Sequence, residues 1–242
     1  MTPQESPFEQ RFPAGSIDLP LNGRRRSELL EEVWNAAEAD LITRLRENGV
    51  EICSFQDLQD NEALLAAAVP TLLGSLRRIR YAGLLFTVIR LMATVKEERR
   101  RVLPVMLDLF RNPPYVMDPF NDVATRKDWD HGVRESVANV IGPLADRFLW
   151  PQYLDLVRDV RYGGSRSVLI DYIHRIEDPR VPEILVDLLD DRTVVTFALH
   201  ALGRIRYSPA RVQIERLADD PNDEVRRQVR YALKRLAPDN PA

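Results

Sequence analysis

Cysteine is nearly absent. Cys53 is the only one in 242 residues, which excludes a disulfide framework and a cysteine-rich zinc site. Lysine is scarce as well: Lys96, Lys127 and Lys234 are the whole complement, and every other basic residue except three histidines is arginine. That bias runs along the entire chain, as coding from a GC-rich genome would give. Long apolar runs are missing. The most apolar stretch, 63–74, is interrupted by Pro70 and falls far short of the ~20 residues a membrane-spanning helix needs. Met1 to Gln10 is polar, acidic and proline-containing, without the basic-then-apolar order of a secretory leader. A cytoplasmic protein with no membrane contact is therefore expected. Positive charge is not in excess either, with 34 Lys plus Arg against 37 Asp plus Glu and a formal net charge of −3. This balance weighs against a protein whose main work is gripping phosphate backbones, while leaving room for a local basic strip. No Ser-His-Asp ordering, phosphate-cradling glycine loop or nucleotide fingerprint stands out.

What is present is ordinary globular composition, 45% hydrophobic and 29% charged, on a length that fits one large domain or a repeat array. Residues 1–23 carry Pro3, Pro7, Pro13 and Pro20 with little apolar periodicity and are expected to be an irregular arm. Residues 24–60 read as a helical cap. Leu29, Leu30, Val33, Trp34, Ala37, Leu41 and Leu45 recur at three- and four-residue steps, Gly49 supplies a stop, and Ser54 with Asp57 forms a variant capping box for a second, short helix.

From residue 61 to 237 the chain repeats itself, and 238–242 is a tail. Val69-Pro70, Leu103-Pro104, Trp150-Pro151 and Val181-Pro182 each precede a helical run, as suits proline in a first turn, where its missing N–H has no intrahelical partner to lose. Each such helix is followed by another. Val133, Val137, Ile141 and Leu144 match Val225, Val229, Leu233 and Leu236 at an offset of 92 residues. Val194, Ala201, Leu202 and Ile205 match Val225, Ala232, Leu233 and Leu236 at 31, and Tyr172, Ile173 and Ile176 precede Ala201, Leu202 and Ile205 by 29. Two helices per ~30 residues is the signature of an α-solenoid, in which each pair buries its apolar stripe against its neighbours. The expected fold is all-α: a right-handed solenoid of about five helix pairs behind an N-terminal cap helix.

The stretch Asp190-Asp191 through Ala198-Leu199-His200-Ala201-Leu202-Gly203-Arg204-Ile205, then Asp219-Asp220 through Glu224-Val225-Arg226 and Ala232-Leu233, resembles HEAT-like repeats. It is most similar to the short bacterial type first named from phycobilisome lyases. The resemblance covers about 130–237, with weaker copies at 62–110. It implies a fold rather than a function, because the family includes scaffolds, immunity proteins, lyase subunits and regulators.

One repeat is broken. Residues 111–131 form a long insertion with Pro113, Pro114 and Pro119 and the large side chains Tyr115, Met117, Phe120 and Trp129; connections of this length are usually functional or disordered. Arg175, Arg204 and Arg235 share one repeat position, so stacking should set them in a ladder. Such a ladder would either serve an acidic partner or simply complement the negative helix ends, worth ~0.3–1 kcal/mol apiece. The second account is preferred, because the aspartates at the other end obey the same dipole logic. Arg226, Arg227, Arg230, Lys234 and Arg235 make the last helix strongly basic, as a solvated terminal cap would be. Asp190, Asp191, Asp219 and Asp220 are expected to cap second helices or their turns. Asp128, Asp130 and His131, with Asp118 and Asp122 nearby, hold metal-ligating atoms, but no spacing demands a metal, and Asp130 reads as the N-cap of the next helix. Gly163-Gly164 reads as an interhelical turn.

No catalytic residue, cofactor or metal is expected. The expected function is a non-enzymatic protein-binding scaffold or adaptor, of immunity type in one version, whose concave face and 111–131 insertion hold another protein. Its contact residues would be Tyr115, Phe120 and Trp129 as apolar anchors, with Asp171, Arg175, His200, Arg204, Tyr231 and Arg235 along the inner helices. Two alternatives come from resemblance: a DNA-binding protein like the HEAT-like alkylpurine DNA glycosylases, and a lyase-type subunit. The glycosylase likeness rests on Trp129 and Asp130, yet Val133 stands where that family's pattern would place its catalytic Asp.

Overall fold

The computed structural model describes residues 6–18, 23–121 and 123–236, and within them the protein is all-helical, with thirteen α-helices, five short 3-10 segments and only isolated β-bridges. Pro3, Pro20, Asp122 and the tail at 238–242 lie outside the described residues. The chain divides into two compact units, the first ending at Leu144 and the second beginning at Ala145.

The first unit holds α1 (Pro7–Arg11), α2 (Arg24–Glu47), α3 (Gln56–Asp60), α4 (Glu62–Ser75), α5 (Ala82–Met92), α6 (Arg99–Arg111) and α7 (Arg126–Leu144). Where an irregular arm was expected, α1 forms because Ser6 and Glu9 make a reciprocal capping box, with Ser6 N donating to Glu9 Oε2 at 2.8 Å. Phe8 then sets the helix down on Phe12 and Tyr81, ring centroids 5.5 and 5.8 Å away. Helix α2 buries Val33, Leu41, Ile42 and Leu45 on one face. Beyond it Gly49 takes φ +79° and its N–H returns to Arg46 O at 2.9 Å, the expected stop. Helices α5 and α6 supply the most apolar core, including Leu84, Leu85, Val88, Ile89, Met92, Met106 and Phe110, and α7 packs across both.

Two prolines depart from expectation. Pro70 and Pro104 lie inside α4 and α6 rather than in their first turns, whereas Pro151 and Pro182 do open their helices. Pro70 and Pro104 are on solvent-exposed positions, so the carbonyl each leaves without a helical donor can be satisfied by water. Helix α7 also starts earlier than expected, at Arg126. Its cap is Thr125, whose Oγ1 accepts from Asp128 N at 3.3 Å while Asp128 Oδ2 accepts from Thr125 N at 2.8 Å. Asp130 is therefore inside the helix, ion-paired with Arg126 at 2.7 Å, and is not its N-cap.

Residues 115–119 of the insertion form a strap. Met117 N donates to Arg80 O at 2.9 Å and Ala82 N to Met117 O at 3.0 Å, a parallel bridge to the entrance of α5. On its other side Gly15 N and Ile17 N donate to Asp118 O and Pro119 O at 3.1 and 3.0 Å. Val116 and Met117 are buried beneath these bonds, only 1% and 4% exposed.

The second unit holds α8 (Trp150–Arg158), α9 (Ser167–Tyr172), α10 (Val181–Asp187), α11 (Val195–Ile205), α12 (Arg211–Glu215) and α13 (Asp223–Leu236). They pack as pairs, α8 on α9, α10 on α11 and α12 on α13, and α11 lies between α9 and α13. Helix α13 approaches α11 closely because Gly203 has no side chain: a Cβ there would stand 3.0 Å from the Tyr231 ring and 3.1 Å from Ala232 Cα. The turns are set by aspartates whose carboxylates accept the N–H two residues on, at Asp159, Asp178, Asp191 and Asp220, all at 2.9–3.0 Å.

Candidate functional site

Helix α11 presents Thr196, His200 and Arg204 at four-residue steps, so all three share one face. Beside them α13 presents Glu224, Gln228, Tyr231 and Arg235, and the end of α9 with the following 3-10 turn, Ile173–Arg175, presents Asp171 and His174. The result is a polar surface crossing three helices. One groove of about 470 Å³ is lined by His174, His200, Arg204, Ile205, Tyr231 and Arg235. A smaller hollow of about 260 Å³, lined by Asp171, Thr196, Phe197, His200, Glu224 and Gln228, adjoins it through His200.

Hydrogen bonds fix both imidazoles. His200 Nδ1 lies 3.2 Å from Asp171 Oδ1; a carboxylate only accepts, so Nδ1 carries the proton and Nε2 remains as the second polar atom of the ring. Arg204 NH2 lies 2.9 Å from His174 Nε2, and His174 Nδ1 lies 2.8 Å from Asp171 O. A guanidinium only donates, so His174 is held neutral with its proton on Nδ1. Burial pushes its pKa below the ordinary histidine value, the Asp171 carbonyl opposes, and the charges of Arg204 and Arg175 add to the lowering. The Tyr231 ring sits 5.1 Å from that of His200, and the Arg235 guanidinium lies 5.3 Å from the Tyr231 centroid.

Of the residues singled out in the sequence, Asp171, His200, Arg204, Tyr231 and Arg235 are thus brought together. Arg175 is turned aside, its guanidinium 5.3 Å over the Tyr172 ring and outside the groove lining. Tyr115, Phe120 and Trp129 belong to the first unit. Tyr115 is 49% exposed on the strap with the Arg126 guanidinium 5.8 Å from its ring. Phe120 is half-buried and held by its N–H to Asp118 Oδ1 at 2.9 Å. Trp129 is half-buried in α7 beside Phe86, centroids 6.4 Å apart.

The acidic residues have local work. Asp128 caps α7, Asp130 pairs with Arg126, His131 lies 3.3 Å from Glu135, and Asp118 accepts from Phe120. Asp122 is outside the described residues, and among those described no three His, Cys, Asp or Glu side chains gather as a metal site. Asp191 and Asp220 accept from the turn N–H groups of Thr193 and Asn222 and are clasped by Arg166 and Arg192 of the preceding stretch. Asp190 and Asp219 are exposed. No helix among the described residues is long and apolar enough to cross a membrane.

Two residues escape a sequence reading. His174 adjoins the arginine position, but the 3-10 turn shifts it from the helical register that aligns its neighbours. Arg166 is fully buried, donating to Gly163 O at 2.9 Å, to Val157 O at 3.0 Å and to Asp191; nothing in its sequence context distinguishes it from a surface arginine. No protein-family model matches the chain, and no curated protein matches it.

Proposed function

We propose that the chain is a HEAT-like repeat protein of the solenoid type that binds another protein without catalysing a reaction, and that an acidic segment of this partner docks on the face of α9, α11 and α13. One observation carries the proposal. Arg204 and Arg235 face a single groove, and neither meets a carboxylate among the described residues; their neighbours are a neutral imidazole and an aromatic ring. Guanidinium groups match carboxylates in bidentate geometry, and arginine with tyrosine is concentrated where proteins meet. The paired packing of α8 to α13 at repeat offsets of 29 to 31 residues supports the family assignment. Exposed Tyr115 is a second contact candidate, on the first unit.

The nucleic-acid alternative fits less well, because Asp171 and Glu224 lie on the same face as the arginines. A glycosylase-like site would need Trp129 and Asp130 free to face a base, whereas Trp129 lies beside Phe86 and Asp130 pairs with Arg126.

The test compares the full chain with an Arg204→Glu/Arg235→Glu variant, each purified from the native cell and its co-purifying molecules quantified by mass spectrometry. One stoichiometric protein, present with the parent and lost from the variant at unchanged circular dichroism, is the expected outcome. Identical recoveries from both, or recovery of nucleic acid alone, would sink the proposal. Deleting 113–128 would be a poor test, since Val116 and Met117 are core residues; Tyr115→Ala probes the strap without unfolding it.

A further inference from the structure

We infer that the groove between His174, His200, Arg204 and Arg235 is a phosphoryl-dianion site, and that the acidic group it takes is a phosphorylated side chain of the partner protein. This deepens, and rests on, the assignment of that face to protein binding. Two guanidiniums without carboxylate partners among the described residues bring two fixed positive charges to one groove of about 470 Å³. A single carboxylate would neutralise one of them. A phosphomonoester carries about −1.5 to −2 charges at pH 7 and presents three acceptor oxygens, and the groove offers donors in kind: both guanidinium forks and the Tyr231 hydroxyl. His200 adds a ring nitrogen to the lining, its orientation fixed by Asp171 Oδ1, 3.2 Å from Nδ1. The source of the phosphate follows from the rest of the face. The adjoining hollow carries Asp171 and Glu224, the latter paired with Arg227, beside Phe197, which is 38% exposed. A nucleic-acid strand would bring its next phosphate towards these carboxylates. A peptide can place one phosphate in the groove, an apolar side chain on Phe197 and a basic one towards Asp171 and Glu224.

The three histidines of the chain make the test specific. Inorganic phosphate is titrated into the full-length protein labelled at histidine, at constant ionic strength, while the imidazole resonances are followed. Those of His174 and His200 should shift saturably, and that of His131, in the first unit, should stay. Chloride and acetate should produce no matching shift. Arg204→Gln and Arg235→Gln should each weaken phosphate binding about 10- to 100-fold, the range of a lost charge-assisted hydrogen bond. The absence of a saturable shift, an equal response at His131, or undiminished affinity in both variants overturns the inference. A second arm uses a short phosphoserine peptide with flanking lysines, its aspartate counterpart, and oligothymidylate. The phosphopeptide should bind at least about tenfold tighter than either, a difference of ~1.4 kcal/mol. Equal affinity for the aspartate peptide overturns the dianion, and tighter binding of oligothymidylate overturns the peptide source. If charge reversal removes a protein partner while phosphate leaves both histidines unmoved, the phosphoryl site fails and the protein-binding face stands.

Discussion

Arg166 is the most buried charge among the described residues, with no exposed surface, and its guanidinium donates to Gly163 O, Val157 O and Thr193 Oγ1 and pairs with Asp191. It joins the turn at Gly163 and the end of α8 to Asp191, so removing it strands two carbonyls and a part-buried carboxylate at once. Arg166→Met keeps the volume and deletes the donors; it should lower unfolding free energy by about 3 kcal/mol or more in urea denaturation. A loss below ~1 kcal/mol would mean that water replaces the guanidinium. Asp220 makes a prediction of a different kind. Its bond to Arg192, then the Asn222 N–H, hold its pKa at about 2, below the ordinary 3.8. Because the folded value is depressed, the stabilisation is complete above the ordinary pKa and is lost as pH falls through the folded one. The urea midpoint should therefore decline between about pH 4 and pH 2, and Asp220→Asn should make that decline shallower. Asp178, also held at about 2 by Arg180, acts in the same direction. Glu38 has the opposite sign: burial lifts its pKa, against the bonds from Trp34 and Phe55, so its ionised form costs stability near neutrality.

At the scale of the helix pair, the contact of α11 with α13 depends on a missing side chain. Gly203→Ala gains up to ~1 kcal/mol in helix propensity but forces a methyl to 3.1 Å from the Ala232 backbone, an overpacking that costs ~1–3 kcal/mol. The substitution should lower the thermal midpoint and move Tyr231, read as a change in its ring resonances; an unchanged midpoint and spectrum would show that the two helices can part without cost. The strap gives a contrast within three residues. Met117→Ala should cost ~2–5 kcal/mol as a buried large-to-small change, whereas exposed Tyr115→Ala should leave stability unchanged. These elements also show what the sequence could tell. Asp171, His200 and Tyr231 lie together as their register suggests, because an offset of 29 to 31 residues carries one helix position onto the same position of the next. The strap was visible only as a gap in the periodicity. It is fastened by backbone bonds from Gly15, Ile17 and Ala82 and to Arg80, which leave no side-chain pattern to read. Pro70 and Pro104 depart from the first-turn position for a related reason: a proline is tolerated inside a helix when it faces water, and facing is a property of the packing rather than of the local sequence.

Over the whole molecule the net charge of −3 says little about any one surface. Many arginines are already spoken for by neighbouring carboxylates: Arg77 by Asp108, Arg161 by Asp159, Arg180 by Asp178 and Arg192 by Asp220. Arg204 and Arg235 are different, because their field is not cancelled at short range by a carboxylate among the described residues. A weakly acidic protein can therefore still attract an anionic group to one groove, and the attraction should be sensitive to salt. Screening contracts from about 10 Å at 0.1 M to about 3 Å at 1 M ionic strength. Affinity for the proposed phosphoserine peptide, measured by calorimetry over that range, should fall by about tenfold or more, and Arg204→Gln/Arg235→Gln should flatten the dependence as well as weaken binding. The fold should respond far less, since the Arg166–Asp191 pair that clasps the second unit is buried on its arginine side and poorly screened. Binding that is indifferent to salt, with a fold that is not, would reverse the assignment: the exposed arginines would then serve only their own helix ends, and the partner would have to be held by apolar contact elsewhere.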